Sequence, residues 1–130
     1  MIDFRTLRVW EAFHEITVDI YKITQQFPSE ELYGLTSQMR RSAASVPTNI
    51  AEGCGRNTDP DLAKFLTIAM GSASELEYQL ILAKDLKLVQ PDEYQDIMEN
   101  LIASKKMLNT FLKKVRGRIP PKRSFLKPNT

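Results

Sequence analysis

The chain has 130 residues, of which 42% are hydrophobic and 26% charged, the size and composition of one soluble globular domain. Its single cysteine excludes an internal disulfide, and one cysteine with one histidine argues against a metal site built from His and Cys ligands. Because no apolar run approaches the roughly 18 residues of a membrane span, and the charged N-terminus lacks the apolar stretch of a signal peptide, we expect a cytoplasmic protein without membrane contact.

Charge is unevenly distributed along the chain. Residues 1–112 contain 11 basic and 16 acidic residues, a net charge of −5, whereas residues 113–130 contain seven basic and no acidic residues. A basic arm on a mildly acidic body predicts either an arm that binds polyanions or one that folds onto the acidic body or a neighbouring subunit.

The first predicted helix runs from about Thr6 to Gln26. Its apolar residues recur in alternating steps of four and three, which is the spacing of one buried helix face. Phe27-Pro28 ends this helix, because the residue before a proline is pushed out of the helical region. Residues 29–35 then form a connector.

The second predicted helix runs from Thr36, as N-cap, to Gly53, and Pro47 in its middle predicts a kink. Polar residues follow one another at helical spacing beside this proline: Ser42, Ser45, Asn49, Glu52 and Arg56. In one interpretation, Ser and Asn side chains bind the carbonyls that the proline leaves without a donor, and Glu52 pairs with Arg56 one turn later. In the other, this polar stripe lines a groove for a ligand or a partner.

The third predicted helix begins at Asp59-Pro60 and ends near Leu86. Gly71 in its middle predicts close approach of the second helix, because glycine costs a helix about 1 kcal/mol relative to alanine. Glu75 and Glu77 are candidate partners of Arg40 and Arg41, within or between subunits. The alternative is that both arginines are solvated.

The fourth predicted helix begins at Pro91 and ends near Arg116, and Pro120-Pro121 cannot continue it. Four long helices with short connections predict an all-α fold, an antiparallel up-down four-helix bundle over residues 1–116 with a basic tail at 117–130. Apolar residues outside the main seams predict further burial between subunits: Trp10, Tyr21, Phe65, Ile68, Ile81 and Leu82.

The second and third helices carry a long, specific pattern. "GLTSQMRRSAASVPTNIAEGCGR" followed by "FLTIAMGSASELE" resembles the four helix bundle proteins of bacteria, also called the 23S ribosomal RNA intervening-sequence proteins, and the resemblance covers roughly Val9 to Val115. It implies a ring-shaped homopentamer and a distant relationship to the accessory variability determinant proteins of diversity-generating retroelements. The family has no settled biochemical activity, and the basic tail lies outside the pattern.

Catalytic residues are not indicated by any motif. His14 is expected at the surface or the boundary of the first helix, and Cys54, between two glycines, is expected to be an exposed loop thiol. "EGCGRN" lacks the preceding strand and the spacing of a phosphate-binding loop. We therefore expect a protein that is not an enzyme and has no catalytic residue, metal or cofactor.

The charge pattern and the resemblance together predict an oligomeric protein that binds nucleic acid, most simply RNA, or serves as a scaffold. The basic residues of the tail are its candidate contacts: Lys113, Lys114, Arg116, Arg118, Lys122, Arg123 and Lys127. The alternative is a protein-interaction scaffold, for example an accessory factor of a reverse transcriptase, without direct nucleic-acid contact. A third hypothesis is that the polar stripe binds a small molecule.

Overall fold

Four long α-helices make up the structure, a computed structural model that describes residues 1–121. They are α1 (Arg8–Thr24), α2 (Ser37–Cys54), α3 (Asp59–Asp85) and α4 (Pro91–Gly117). The all-α prediction is therefore confirmed, and each helix lies within a few residues of its predicted bounds. The predicted division into a bundle and a tail stays a prediction, with α4 extending one residue past the predicted boundary.

The connection between α1 and α2 is itself helical. A short 3-10 helix (Ser29–Glu31) leads into one turn of π-helix (Leu32–Thr36), in which Gly34 has non-helical dihedral angles (φ −111°, ψ −111°). α2 continues as one helix through Pro47. The interruption of helical backbone in this region thus lies at Gly34, and the predicted kink at Pro47 stays a prediction.

The helix ends differ in detail from the sequence prediction. Thr36 precedes α2 but makes no side-chain cap, and α2 continues past Gly53 to Cys54. At α3 the cap is Thr58 rather than Asp59, because the Thr58 hydroxyl accepts a hydrogen bond from the N–H of Asp61 (3.3 Å). Neighbouring Thr and Asp are both good N-caps, so sequence alone does not choose between them.

Each helix packs against its neighbours in the chain, and α1 also packs against α4. This arrangement is the antiparallel four-helix bundle, with α1 and α3 at diagonally opposite corners. The core is formed by the predicted seams, and its largest fully buried side chains are Phe13, Ile20, Met39, Ile50, Leu66, Leu76, Leu80, Leu101 and Leu108. The outward faces of α1 and α3 consequently point in opposite directions.

Within residues 1–121, no helix is both long enough and apolar enough to cross a membrane. The cytoplasmic location and the ring-shaped oligomer stay predictions.

Candidate functional site on the polar face of α2

The carbonyl that Pro47 leaves without a donor is that of Ala43, four residues earlier in α2. The hydroxyl of Thr17 on α1 lies 3.0 Å from this oxygen and 2.8 Å from the carbonyl oxygen of Phe13 in its own helix. One hydroxyl hydrogen serves both acceptors. The prediction that side chains of α2 itself bind the freed carbonyl is therefore wrong, because the donor comes from α1.

Asn49 and Ser45 form a small polar network at the α2–α3 contact. The side-chain N–H₂ of Asn49 donates to the carbonyl oxygen of Ser45 (2.8 Å) and to its hydroxyl oxygen (3.0 Å). The Ser45 hydroxyl lies 2.8 Å from that of Ser72 on α3. The Ser45 carbonyl is not the one that Pro47 frees, so the network joins α2 to α3 rather than repairing the proline site.

The polar stripe ends in the predicted helical ion pair. An N–H of the Arg56 guanidinium donates to Glu52 (3.0 Å), which confirms this pair, and the guanidinium lies over the ring of Phe65 (4.8 Å). Glu52 and Arg56 border a groove of about 720 Å³ between α1 and α2, whose wall includes Trp10 and Pro47.

Arg40 and Arg41 face different helices. Arg40 Nε donates to the Thr24 hydroxyl (2.9 Å), and the guanidinium lies over the Tyr21 ring (4.8 Å), so Arg40 joins α2 to α1. The predicted pairing of Arg40 with a carboxylate of α3 is wrong within the chain, because this side chain points to the opposite neighbour. Arg41 is exposed, and among the described residues it forms no ion pair.

The two candidate carboxylates of α3, Glu75 and Glu77, lie next to different helices. Glu77 accepts a hydrogen bond from Lys105 on α4 (2.7 Å), and this half-buried pair joins α3 to α4. Glu75 lines a polar pocket between α2 and α3 together with Arg41, although the two do not form an ion pair. Pairing of these arginines and carboxylates between subunits stays a prediction.

Gly71 is exposed, and a Cβ placed on it would meet no atom within 4 Å. The predicted close approach of α2 at Gly71 is therefore wrong. The close approach instead lies at Gly53, where a Cβ would sit 3.0 Å from both the Leu62 side chain and Phe65 Cβ. The neighbouring Ser72, which meets Ser45, carries the α2–α3 contact that we assigned to the glycine.

Four of the predicted tail cations lie in the described part of the chain, at the end of α4. Lys113 and Lys114 are exposed, and Arg116 donates to the Thr67 hydroxyl (3.1 Å). Arg118 donates to both carboxylate oxygens of Asp59 (3.2 and 3.0 Å), and these hydrogen bonds lower the pKa of Asp59 and raise that of Arg118. The other three, Lys122, Arg123 and Lys127, lie outside the described residues.

The two residues considered for catalysis, His14 and Cys54, both pack against other side chains of the bundle. His14 is exposed, as expected, and stacks on Trp10 (ring centroids 5.1 Å apart). Cys54 is not an exposed loop thiol but the last residue of α2, fully buried in the core, and this burial raises the pKa of its thiol. In the described part of the chain, His, Cys, Asp and Glu side chains form no cluster of three that suits a metal ion.

Two residues with polar side chains at these sites, Thr17 and Gln79, were not predicted from the sequence. Thr17 had no distinguishing signal, because its contact with Ala43 depends on how α1 crosses α2. Gln79 did have one, since it follows Ser72 by seven residues, two helical turns, and so lies on the same face of α3. Its side chain lines the polar pocket between α2 and α3.

Comparison with known proteins agrees with the sequence resemblance. The model of the 23S rRNA-intervening sequence protein family matches residues 5–110. A crystal structure of a protein of unknown function from the S23 ribosomal protein family of Bacteroides thetaiotaomicron VPI-5482 is similar, with 26% sequence identity and a TM-score of 0.73, over 81% of this chain and 98% of that one. No protein with a curated description matches significantly. The chain belongs to the 23S rRNA-intervening sequence protein family.

Proposed function

We propose that this member of the 23S rRNA-intervening sequence protein family is a non-enzymatic, ring-forming protein that binds RNA through the basic end of α4 and the tail that follows it. The observation that carries the proposal is the exposure of Lys113 and Lys114, two of the seven basic residues after position 112, where the sequence has no acidic residue. Exposed lysines without an ion-pair partner retain their full attraction for phosphates.

The described contacts assign different parts to the basic residues. Arg118 is held by Asp59 at the start of α3, so we assign it to fixing the direction in which the chain leaves α4. Lys113 and Lys114 form no ion pair among the described residues and are the best-placed phosphate contacts on α4. In the proposal, Lys122, Arg123 and Lys127 extend the same basic surface.

Ring formation is supported by two apolar patches. The α1 patch consists of Val18, Tyr21 and Leu32, and the α3 patch consists of Ile68, Gly71 and Tyr78, with exposed fractions of 39–45% for the first and 43% and 62% for Ile68 and Tyr78. Because α1 and α3 occupy opposite corners, the patches face opposite ways. Contact between the α1 patch of one copy and the α3 patch of the next is head-to-tail, and in the proposal the rotation between successive copies closes this contact into a ring.

A ring multiplies weak RNA contacts. One copy with a few exposed lysines binds RNA weakly and in a salt-sensitive way, whereas several copies on one assembly raise the effective concentration of the remaining arms once the first has bound. We propose five copies, the number that the family resemblance implies.

The alternative function, a protein-interaction scaffold without RNA contact, is favoured by one observation. Apolar side chains remain exposed on α3 and in the turn after it, with Leu86 52% exposed. Exposed apolar patches of this kind mark protein-protein contacts. An accessory factor of a reverse transcriptase is one protein of this class.

A filter-binding experiment with structured RNA at several salt concentrations tests the proposal. Replacing Lys113 and Lys114 with Gln should weaken binding and reduce the slope of log K against log[salt] by roughly 0.7 to 0.9 for each lost phosphate contact. The matched control replaces Lys22 and Lys87, two exposed lysines elsewhere, and should leave the slope unchanged.

Removal of the tail completes this test. Because Val115 is fully buried, truncation must spare α4, so the shortened chain should end at Pro121. We expect its RNA affinity to fall while the oligomer is retained. Unchanged affinity and slope in both variants would contradict the proposal and support the protein scaffold, and loss of the oligomer on truncation would make the tail an assembly element.

A further inference from the structure

The groove of about 720 Å³ between α1 and α2 has mainly apolar walls. Half-buried Trp10 lies on the α1 side, and Pro47 and Ala51 lie on the α2 side. The lining residues of α2 extend from Ala44 to Gly55, about 16 Å along the helix, which is the length of about five residues of extended chain. An open apolar groove of this size suits a segment of polypeptide.

The chain leaves the bundle at the end where this groove begins. Because the helices are antiparallel, the C-terminal ends of α2 and α4 lie at the same end of the bundle as the N-terminus of α1. Arg118, held by Asp59, lines a small pocket of about 180 Å³ together with Arg56, and Arg56 also lines the groove. Arg56 therefore lies between the exit of the chain from α4 and the groove.

The sequence that follows the described residues is long enough to reach the groove. Phe125 follows Arg118 by seven residues, which span at most about 25 Å when extended. Helix axes 8–10 Å apart place α2 and α4 roughly 12–14 Å from each other across the diagonal of the bundle. Phe125 can therefore lie in the groove of its own chain.

Residues 122–130, which lie outside the described part of the chain, contain one apolar pair. Phe125-Leu126 stands among polar and charged residues in the sequence KRSFLKPNT. Neighbouring side chains of an extended segment point to opposite sides, so within a groove they meet opposite walls. Phe125 can then contact Trp10 on α1 while Leu126 contacts Pro47 on α2.

The charges beside the groove complement those of the segment. Glu11 and Glu15 each follow a groove-lining residue of α1, both are exposed, and neither forms an ion pair among the described residues. Glu52 is already paired with Arg56, so Glu11 and Glu15 make the border of the groove negative. This border attracts the three cations of the segment, Lys122, Arg123 and Lys127.

We propose that the segment after Pro121 docks in the α1–α2 groove of its own chain, with Phe125 and Leu126 buried between the helices and Lys127 beside Glu15. Lys122 and Arg123 stay at the surface where α4 ends, so docking neither requires nor prevents the proposed RNA contacts. Trp10 lies about 12 Å along α1 from Val18, so the docked segment leaves the α1 patch free.

Trp10 is the only tryptophan of the chain, so its fluorescence reports directly on the groove. In the full chain, Phe125→Ser with Leu126→Ser should raise the acrylamide quenching constant of Trp10 by about twofold, because the ring loses its apolar cover. The control, Ser124→Ala with Asn129→Ala, changes the same segment but keeps the apolar pair and should be quenched as the unaltered protein is. Equal quenching of all three proteins would overturn the proposal.

A peptide with the sequence of residues 119–130 tests the contact from outside the chain. Added to the Phe125→Ser, Leu126→Ser protein, it should protect Trp10 from quenching in a saturable way. The same peptide with both serines should bind at least about tenfold more weakly, because it lacks the two apolar side chains. A natural-sequence peptide that leaves the quenching unchanged would contradict docking in the groove.

Charge substitutions in the same protein test the border of the groove. Glu11→Gln with Glu15→Gln should weaken peptide binding about two- to fivefold, the effect of one or two exposed ion pairs. The control, Glu30→Gln with Glu99→Gln, lies at exposed positions towards the other end of the bundle and should not weaken it. Equal affinity of the peptide for both variants would remove the ionic part of the proposal.

Dilution of the unaltered protein identifies whose segment fills the groove. Docking within one chain predicts a quenching constant for Trp10 that does not depend on protein concentration. A constant that rises as the assembly dissociates would assign the groove to the segment of a neighbouring copy and overturn docking within the chain. No RNA is present in these measurements, so their outcome is separate from that of the RNA-binding experiment.

Discussion

At the residue scale, the hydrogen-bond defect at Pro47 is repaired from a neighbouring helix. Thr17 lies on the flank of α1 that faces α2, and its hydroxyl reaches the Ala43 carbonyl at 3.0 Å. A proline inside a helix costs about 3 kcal/mol or more when its carbonyl partner is left alone, so a donor from outside the helix recovers part of this cost. The repair also fixes the position of α1 against α2.

Thr17→Val tests this repair with little change of shape. We expect a loss of about 1–3 kcal/mol in the free energy of unfolding, because the Ala43 carbonyl becomes a buried acceptor without a donor. Pro47→Ala restores a backbone N–H to the same carbonyl, so in that background Thr17→Val should cost clearly less. Urea unfolding of the four proteins gives the coupling energy.

Thr110→Val is the control for the threonine chemistry. Thr110 is exposed and donates only to the Lys106 carbonyl of its own helix (3.0 Å), so its replacement should change stability by no more than about 0.5 kcal/mol. Additive effects of Thr17→Val and Pro47→Ala would show that Thr17 does not compensate the proline.

At the element scale, apolar periodicity was enough to predict the helices and their buried faces. The face of α1 that was predicted from steps of three and four residues is the buried face of this helix in the structure. Gly71 shows a signal that was present but unused. It lies two residues from both Ala69 and Ala73, about 200° from each around the helix, and therefore faces away from the core.

The two helical glycines provide a prediction for α2 and α3. Gly53→Ala should destabilise the protein, because the new methyl group would meet Leu62 and Phe65 Cβ at 3.0 Å where α2 joins α3. Gly71→Ala should stabilise it by about 1 kcal/mol, because alanine is the better helix former and the space is open. Urea unfolding measures both, and light scattering checks that the oligomer is unchanged.

The outcome at Gly71 also bears on the ring, because Gly71 belongs to the α3 patch. If Gly71→Ala lowers the mass of the assembly, the glycine is needed where two copies approach closely. Lower stability at unchanged mass would contradict the open space that the structure shows around it.

At the scale of the whole molecule, sequence predicted the architecture better than the polar contacts. Helix seams need only periodicity, whereas the partner of a long side chain depends on how two helices cross. Arg40 was thus assigned to α3 and lies on α1, and Glu77 was assigned to α2 and lies against Lys105 on α4. The pair Glu52–Arg56 was predicted correctly because both residues belong to one helix, where spacing alone fixes the distance.

In the proposed assembly, the two apolar patches are the faces of the bundle that meet other copies. A patch that meets itself gives a closed dimer, whereas two different patches give a head-to-tail contact, which forms a ring when the rotation between successive copies closes and an open filament when it does not. Each copy contributes two different patches to a head-to-tail assembly, the α1 patch to one neighbour and the α3 patch to the other. The two patches can therefore be altered separately, which tests the contact more directly than the mass of the assembly does.

Two variants separate these halves. Val18→Lys with Leu32→Lys charges the α1 patch, and Ile68→Lys with Tyr78→Lys charges the α3 patch, all at exposed positions that leave the core intact. We expect the unaltered protein to have five times the 14.9 kDa of one chain by light scattering, and each variant alone to be monomeric. Exposed lysines at a dry contact surface prevent it because their desolvation is not compensated.

Mixing the two variants is the decisive measurement. Each retains one intact patch of the opposite kind, so an equimolar mixture should form a dimer of about twice the single-chain mass and nothing larger, since the second junction of every copy is charged. Gln26→Lys with Asn100→Lys, at exposed polar positions, is the control and should assemble as the unaltered protein does. A mixture that stays monomeric would show that the patches do not meet each other, and an unaltered protein that is monomeric at micromolar concentration would remove the ring altogether.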